Sequence, residues 1–353
     1  MLKNKILFYP IILFLMLFLV DKVFLLESVK KYIKSDFTHI YYETREAVFE
    51  TLVNDSEIKN KEKKLMLILG SSRLLYFDAD ELKQYYPDWK IYNLSSAVTT
   101  PSYYYFYLEK LLKAGVSPDA IVLESDPNQF NANSPVFRGS NLTYSFDLPF
   151  VLRYANTFGR ENVSFYLAKS LFAVSKNKPY LDRAFSRFRD PNFDSISTMQ
   201  DVTRNFLIQN RGNALSLVDE YVEKNYWMLE TTSQRTLDWV YAGYKPSEMQ
   251  YEFYEKILKD IRAKEIDLLI VWPQSSPPMQ RLLKKSDFTE DWKTRITKIN
   301  HKYGFEILDM DDTDAYSCNT FVDGGHIAKD CYRPFIRFIM SEYYKQKNGV
   351  RKD

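Results

Sequence analysis

Residues 65–74 read LMLILGSSRL: five apolar residues, then Gly70, Ser71, Ser72, Arg73 and Leu74. A continuous apolar run of this length, stopped by a glycine, reads as a strand buried on both faces. Outward from it the pattern alternates. Residues 74–86 are expected to form a helix, KIYNL (90–94) a short strand, 102–115 a helix closed by Gly115, and AIVLE (120–124) a third strand. The rhythm breaks at about 131 and resumes with a helix over 248–263 and the strand IDLLIVW (266–272), stopped by PQSSPP. A helix over about 288–302, a strand over 305–310 and a helix over about 328–346 complete it. Strands alternating with helices imply an α/β fold, a three-layer α/β/α sandwich around a five-stranded, mostly parallel sheet of flavodoxin-like type. The segment 131–245, rich in Phe, Tyr, Asn and Arg, reads as a long, mainly helical insertion.

Bulk composition narrows the function classes. The 353 residues are 45% hydrophobic, enough for a large core, and Lys+Arg 48 against Asp+Glu 46 leaves a formal charge of +2. Charges of both signs are interspersed, so no nucleic-acid footprint is expected. Only 10 glycines are present, and neither G-x-x-x-x-G-K-[ST] nor G-x-G-x-x-G occurs. Histidine is confined to His39, His301 and His326, and two cysteines cannot build a Cys-rich zinc centre. No metal or other cofactor is therefore expected.

The N-terminus carries ILFYPIILFLMLFLV (6–20), then Asp21 and Lys22, then VFLL. Counted through Leu26, this reaches the ~20 residues that a transmembrane helix needs. No small-x-small cleavage site follows, so residues 1–26 read as an uncleaved, single-pass transmembrane signal anchor rather than a removed signal peptide. The expected partner there is the cytoplasmic (inner) membrane, with the bulk of the chain extracytoplasmic. The basic residues on the two sides do not settle orientation: Lys3 and Lys5 face Lys22, Lys30, Lys31 and Lys34. Residues 27–64 read as a polar, partly helical juxtamembrane stalk, 65–346 as the α/β domain with its insertion at 131–245, and 347–353 as a charged tail.

In a parallel sheet, sites form beyond the carboxyl ends of the strands. Three loops are expected there: Gly70-Ser71-Ser72-Arg73, Asp126-Pro127-Asn128-Gln129, and the segment FVDGGHIAKDCYRPF with Asp323-Gly324-Gly325-His326. A serine hydroxyl needs a neighbouring base, and the base an acid that fixes its tautomer. An Asp and a His three residues apart on a tight turn can bring carboxylate and imidazole together, with Gly324 and Gly325 permitting the turn. Taken alone, that loop reads equally well as a surface turn whose Asp caps a helix. Asn128 alone reads as a turn residue, Arg73 as half of a surface ion pair, and Glu124 as a structural hydrogen-bonding group. Cys318 and Cys331 bracket the Asp323/His326 loop; they read as two separate buried thiols, with a disulfide as the alternative in an oxidising compartment.

Taken together, these motifs resemble the SGNH (GDSL-like) superfamily of hydrolases and acyltransferases. Gly70-Ser71-Ser72 resembles its first block, with Ser71 where an aspartate usually stands. Asp126-Pro127-Asn128-Gln129 resembles Gly-x-Asn-Asp, with the glycine and the final aspartate replaced. Asp323 and His326 match its last block. The resemblance covers roughly 65–130 and 248–346 and implies Ser72 as nucleophile, His326 as base and Asp323 as its orienting acid. It further implies an oxyanion hole from the Ser72 N–H, the Asn128 side chain and a block-two amide. The region Asn93 to Pro101 has no glycine for that last role, so Ala97 or Val98, here Val98, is the expected donor. Arg73 is the expected substrate-binding residue for an anionic group.

The Gly-Ser-Ser variant beside an N-terminal anchor is similar to the superfamily's envelope-modifying branch, which includes teichoic-acid D-alanylation and alginate O-acetylation proteins. That similarity implies an esterase or O-acyltransferase acting on an acylated envelope polysaccharide or lipid. Two other readings stand beside it: a catalytically silent envelope-binding or scaffold protein, and a structural membrane protein whose motifs match by chance.

Overall fold

The computed structural model describes residues 8–33, 40–177, 179, 181–193 and 196–349. The apolar run at 65–69 lies in β1 (Lys64–Leu69), followed by β2 (Trp89–Asn93), β3 (Ala120–Glu124), β4 (Asp267–Trp272) and β5 (Ile307–Asp309). They pair in the order β2-β1-β3-β4-β5, every pair parallel. This order, in a three-layer α/β/α arrangement, is the topology of the SGNH/GDSL fold.

Successive side chains of a strand point to opposite faces, and here both faces are apolar. Leu65, Leu67 and Leu69 join Ile121, Leu123, Leu268, Ile270 and Trp272 in one core. The helices Pro101–Lys113, Glu248–Ala263 and Asp287–Lys302 cover it with residues such as Tyr103, Tyr254 and Trp292. Met66, Ile68, Ile91, Val122, Leu269 and Val271 form the opposite core, covered by Leu82 and by Phe335, Ile336, Ile339 and Met340 of the helix Tyr332–Gly349.

Several boundaries differ from the sequence reading for local reasons. The helix expected over 74–86 begins only at Ala79, because Asp78 caps it by accepting the Glu81 N–H at 2.9 Å. The preceding residues are left to form the turn that carries Ser72. A 3-10 turn, Lys329–Cys331, precedes the last helix. Within 131–245 the described residues include the helices Ala155–Leu171, Ile196–Gln209 and Tyr226–Val240.

Part of the segment read as a partly helical stalk packs against the domain. Its helix Ile40–Val53 buries Tyr42, Arg45, Val48, Phe49 and Leu52, residues three and four apart on one face. The charged residues between them made the stretch look solvated. Arg45 is completely buried and donates to the carbonyls of Asn93 (3.1 Å) and Gly212 (2.9 Å). At the N-terminus, no single helix among the described residues is long and apolar enough to cross a membrane. The helices Phe8–Val23 and Glu27–Ile33, bent by 75°, pass that test of length and composition only as a pair. Residues 1–7 of the expected anchor lie outside the described residues.

Candidate active site

After β1 the chain crosses to β2 on one side, then returns to β3 on the other, so the sheet order reverses between β1 and β3. The carboxyl ends of those strands are where open α/β sheets place ligands. Ser72 follows β1 and Asn128 follows β3 at this point. A Cβ on Gly70 would stand 2.7 Å from Leu74 Cβ and 2.8 Å from Glu124 Oε2. Glycine therefore lets the buried Glu124 carboxylate close on the turn. Glu124 Oε2 accepts the Ser71 N–H at 2.6 Å, and Oε1 accepts the Ser71 hydroxyl at 2.8 Å and the Gln129 amide at 3.0 Å. Burial pushes the Glu124 carboxyl above its ordinary range, against the pull of the Arg73 charge and the Ser71 N–H.

The third loop meets Ser72 directly. Ser72 Oγ lies 2.7 Å from His326 Nε2, and His326 Nδ1 lies 2.9 and 3.0 Å from the two Asp323 carboxylate oxygens. Asp323 Oδ1 also accepts the N–H groups of Gly325 (2.8 Å) and His326 (2.9 Å), closing the turn that sets the imidazole angle. Burial opposes ionisation of Asp323, but the imidazole and these two N–H groups outweigh it and bring its carboxyl down to about 2. A carboxylate facing Nδ1 makes that nitrogen the protonated one and leaves Nε2 to accept the Ser72 hydroxyl. Both His326 and Asp323 keep about a third of their side-chain surface, 34% and 36%, so the group opens to solvent.

Gly324 and Gly325 were expected to permit the turn, and neither adopts left-handed backbone. Gly324 is required for close approach instead. A Cβ there would stand 2.6 Å from Ser233 Cα and 2.7 Å from Ser233 N on the helix Tyr226–Val240. Thr232 of the same helix accepts the Gly324 N–H at 3.0 Å, and Gly324 O accepts the Ser276 N–H at 3.1 Å. The insertion thus supports the histidine loop, a role no motif in 131–245 announced. Cys318 and Cys331, read as separate thiols, form a disulfide with a Cα separation of 5.8 Å that brackets this loop. The fold brings the two chain positions together, which spacing alone does not reveal.

Arg73 faces the interior. Its side chain is 9% exposed and pairs with the fully buried Asp126 at 2.5 Å, while Nη2 donates to Ser275 Oγ at 2.8 Å and to the Pro273 carbonyl. Asp126 also accepts from Tyr241 OH (2.8 Å), Trp272 Nε1 (3.0 Å) and the Asn128 N–H (2.9 Å). The expectation that Arg73 binds substrate, and the alternative of a surface pair, both give way to a buried pair that ties β1, β3 and β4 together. Trp272, the last residue of β4, takes part in the same cluster.

The expected oxyanion donors are differently placed. The Val98 N–H donates to Tyr42 OH at 3.1 Å, so that amide is already in use. Tyr42 comes from the helix taken for a stalk, and no side-chain pattern near Val98 encoded the contact. The Ser72 N–H donates to Ala97 O at 3.3 Å. Among the described hydrogen bonds, Ala97 N has no acceptor, and the Ser72 bond places Ala97 beside the serine. Asn128 stands in the turn Asp126 opens, with its side-chain amide donating to Asp126 and also hydrogen-bonded to Tyr241.

Among the described residues, no group of three or more His, Cys, Asp and Glu is placed to share a metal ion. A groove of about 670 Å³, lined by Trp227, Gln234 and Arg281 among others, lies beside the helix that supports the histidine loop. It does not include Ser72. Hydrogen bonding rather than cavity volume therefore locates the candidate chemistry. A family model described as a protein of unknown function (DUF1574) matches residues 1–343. No curated protein matches the chain.

Proposed function

The chain belongs to the DUF1574 family, and from that premise and the geometry above we propose that it is an SGNH-type serine esterase or O-acyltransferase. The observation that carries this reading is the unbroken relay from Ser72 Oγ through His326 to Asp323, with separations of 2.7 and 2.9 Å. The sheet order supports it, because Ser72 follows β1 where that order reverses between β1 and β3.

In this mechanism His326 Nε2 takes the hydroxyl proton as Ser72 Oγ bonds to an ester carbonyl carbon. The tetrahedral oxyanion collapses, the alkoxide leaves with the proton from His326, and an acyl-serine remains. Water or an acceptor hydroxyl then attacks that ester, giving up its proton to His326, and Ser72 is released. Asp323, an anion throughout, holds the imidazole tautomer and stabilises the imidazolium. The Asn128 side-chain amide and the Ala97 N–H are the proposed oxyanion donors, joined by the Ser72 N–H when it turns from Ala97 O to the substrate, and Ala97 takes the role expected of Val98. Attachment through the N-terminal apolar helix supports a substrate at the membrane surface, an acyl ester of an envelope glycan or lipid, with the domain extracytoplasmic.

One observation favours the catalytically silent alternative: the Ser72 N–H is committed to Ala97 O. Losing one oxyanion donor costs ~10²–10³ in rate. Turnover of a small acetyl ester decides between the two. The enzyme reading expects hydrolysis that disappears in Ser72→Ala and in His326→Ala. A rate in the unaltered chain no higher than in both variants would overturn it.

A further inference from the structure

The insertion leaves an unusual surface open. Leu171, Val174, Leu181, Phe185 and Phe188 are 40–69% exposed, although each lies in or beside a helix. An exposed cluster of this kind marks an interaction surface. Its position identifies the occupant. The apolar helix Phe8–Val23 ends against this same surface. Asp21, 8% exposed, accepts the N–H groups of Ala173 (2.7 Å) and Val174 (2.9 Å), capping the helix Ala173–Asn177. Lys22 donates to the Leu171 carbonyl, and Phe18 meets Phe172 edge-on with ring centroids 6.3 Å apart.

A second staple follows from Glu27–Ile33. Tyr32 packs on Phe188 at 5.6 Å and on Phe193 at 5.8 Å, and its carbonyl accepts from Arg187 at 3.0 Å. The exposed apolar residues are thus continuous with a helix whose own side chains from Phe8 to Val20 are largely uncovered. The described residues of 167–189 also carry five basic side chains, at 169, 176, 183, 187 and 189, against one acidic residue, Asp182. Apolar residues interleaved with cations suit the interfacial zone of an anionic bilayer.

We infer that the described residues of 167–189 form a membrane-docking surface, which lies in the headgroup region of an anionic bilayer beside the N-terminal apolar helix. The bend of 75° after Phe8–Val23 then turns the chain from the membrane onto its surface. The insertion holds the domain at a fixed height, with Phe185 and Phe188 as wedges and the basic residues on lipid phosphates. This rests on the membrane attachment in the proposed function and is independent of the serine chemistry.

The test uses the full chain in nanodiscs of phosphatidylcholine with or without phosphatidylglycerol. Spin labels are placed singly at Phe185→Cys, Phe188→Cys, Leu15→Cys in the apolar helix, and Trp239→Cys on the exposed face of the helix Tyr226–Val240. Collision with oxygen is compared with collision with a nickel chelate. Labels at 185 and 188 are expected to favour oxygen, as at 15, whereas 239 favours the chelate. Phosphatidylglycerol should deepen 185 and 188, and Arg183→Glu/Arg189→Glu should cancel that gain.

Chelate access at 185 and 188 equal to that at 239, with 15 still lipid-exposed, overturns the docking surface and leaves the anchor intact. Chelate access at 15 overturns the membrane attachment on which both rest. Equal depth in the two lipid mixtures overturns the anionic preference. Spin–spin coupling between copies at 185 or 188 assigns the face to a second copy of the chain and overturns the proposal.

Discussion

Replacing Arg73 with methionine separates a buried structural role from a substrate-binding one. The substitution keeps most of the side-chain volume and removes the charge that faces Asp126. Since Arg73 is 9% and Asp126 0% exposed, Asp126 would be left without its ionic partner in the interior. Breaking a buried pair from one side costs ~3–5 kcal/mol, against ~0–1 for an exposed pair. With an unfolding entropy of ~2.1 cal/mol/K per residue, this chain loses about 0.7 kcal/mol of stability per degree near its midpoint. The expected shift is therefore a fall of about 4–7 °C in Tm, read by differential scanning calorimetry or fluorimetry in one detergent. Asp126→Asn added to Arg73→Met should recover part of the loss, because the uncompensated charge is gone. An unchanged Tm with a large rise in KM would refute this reasoning and return Arg73 to the substrate.

Glu124→Ala should lower kcat by about 10² with little change in KM, because Ser71 loses the carboxylate that fixes the turn before Ser72. Glu124→Gln should fall between the two, and unchanged kcat in both variants would remove the positioning role. Asp311, which accepts from the Ser275 N–H and Gln280, is pushed by burial to about 7. A folded value above the unfolded 3.8 means stability falls as pH rises from about 4 to about 7, and Asp311→Asn should remove that slope. Denaturant melts at pH 4, 6 and 8 read it, and parallel slopes in the two proteins would contradict it. Removing the disulfide with Cys318→Ser/Cys331→Ser opens a 13-residue separation and should cost about 3 kcal/mol. Faster amide exchange at 323–326 should accompany the loss; protection equal to the unaltered chain would show that the bridge does not brace the loop.

What the sequence disclosed depended on whether its signal was local. The run at 65–69 and AIVLE at 120–124 announced buried strands because both faces of this sheet are apolar. Asp323 and His326 were legible because three residues of turn bring them together. The Arg73–Asp126 pair was hidden, since its partners are 53 positions apart and meet only through β1–β3 pairing. Tyr42 was missed because charged neighbours disguised the helix Ile40–Val53 as a stalk. The Val98 contact was illegible in principle, because an amide's commitment to Tyr42 leaves no trace in the side chain at 98. Thr232 and Ser233 carry no motif at all; Gly324 is glycine because their helix lies against it.

The most direct measurement is active-site labelling of the full chain with a fluorophosphonate, followed by mass spectrometry of the modified peptide. A single adduct on Ser72, suppressed at least a hundredfold by His326→Ala, is the result to expect if the imidazole activates that hydroxyl. Absence of any adduct from a folded chain, or an adduct on Ser71 instead, would contradict it.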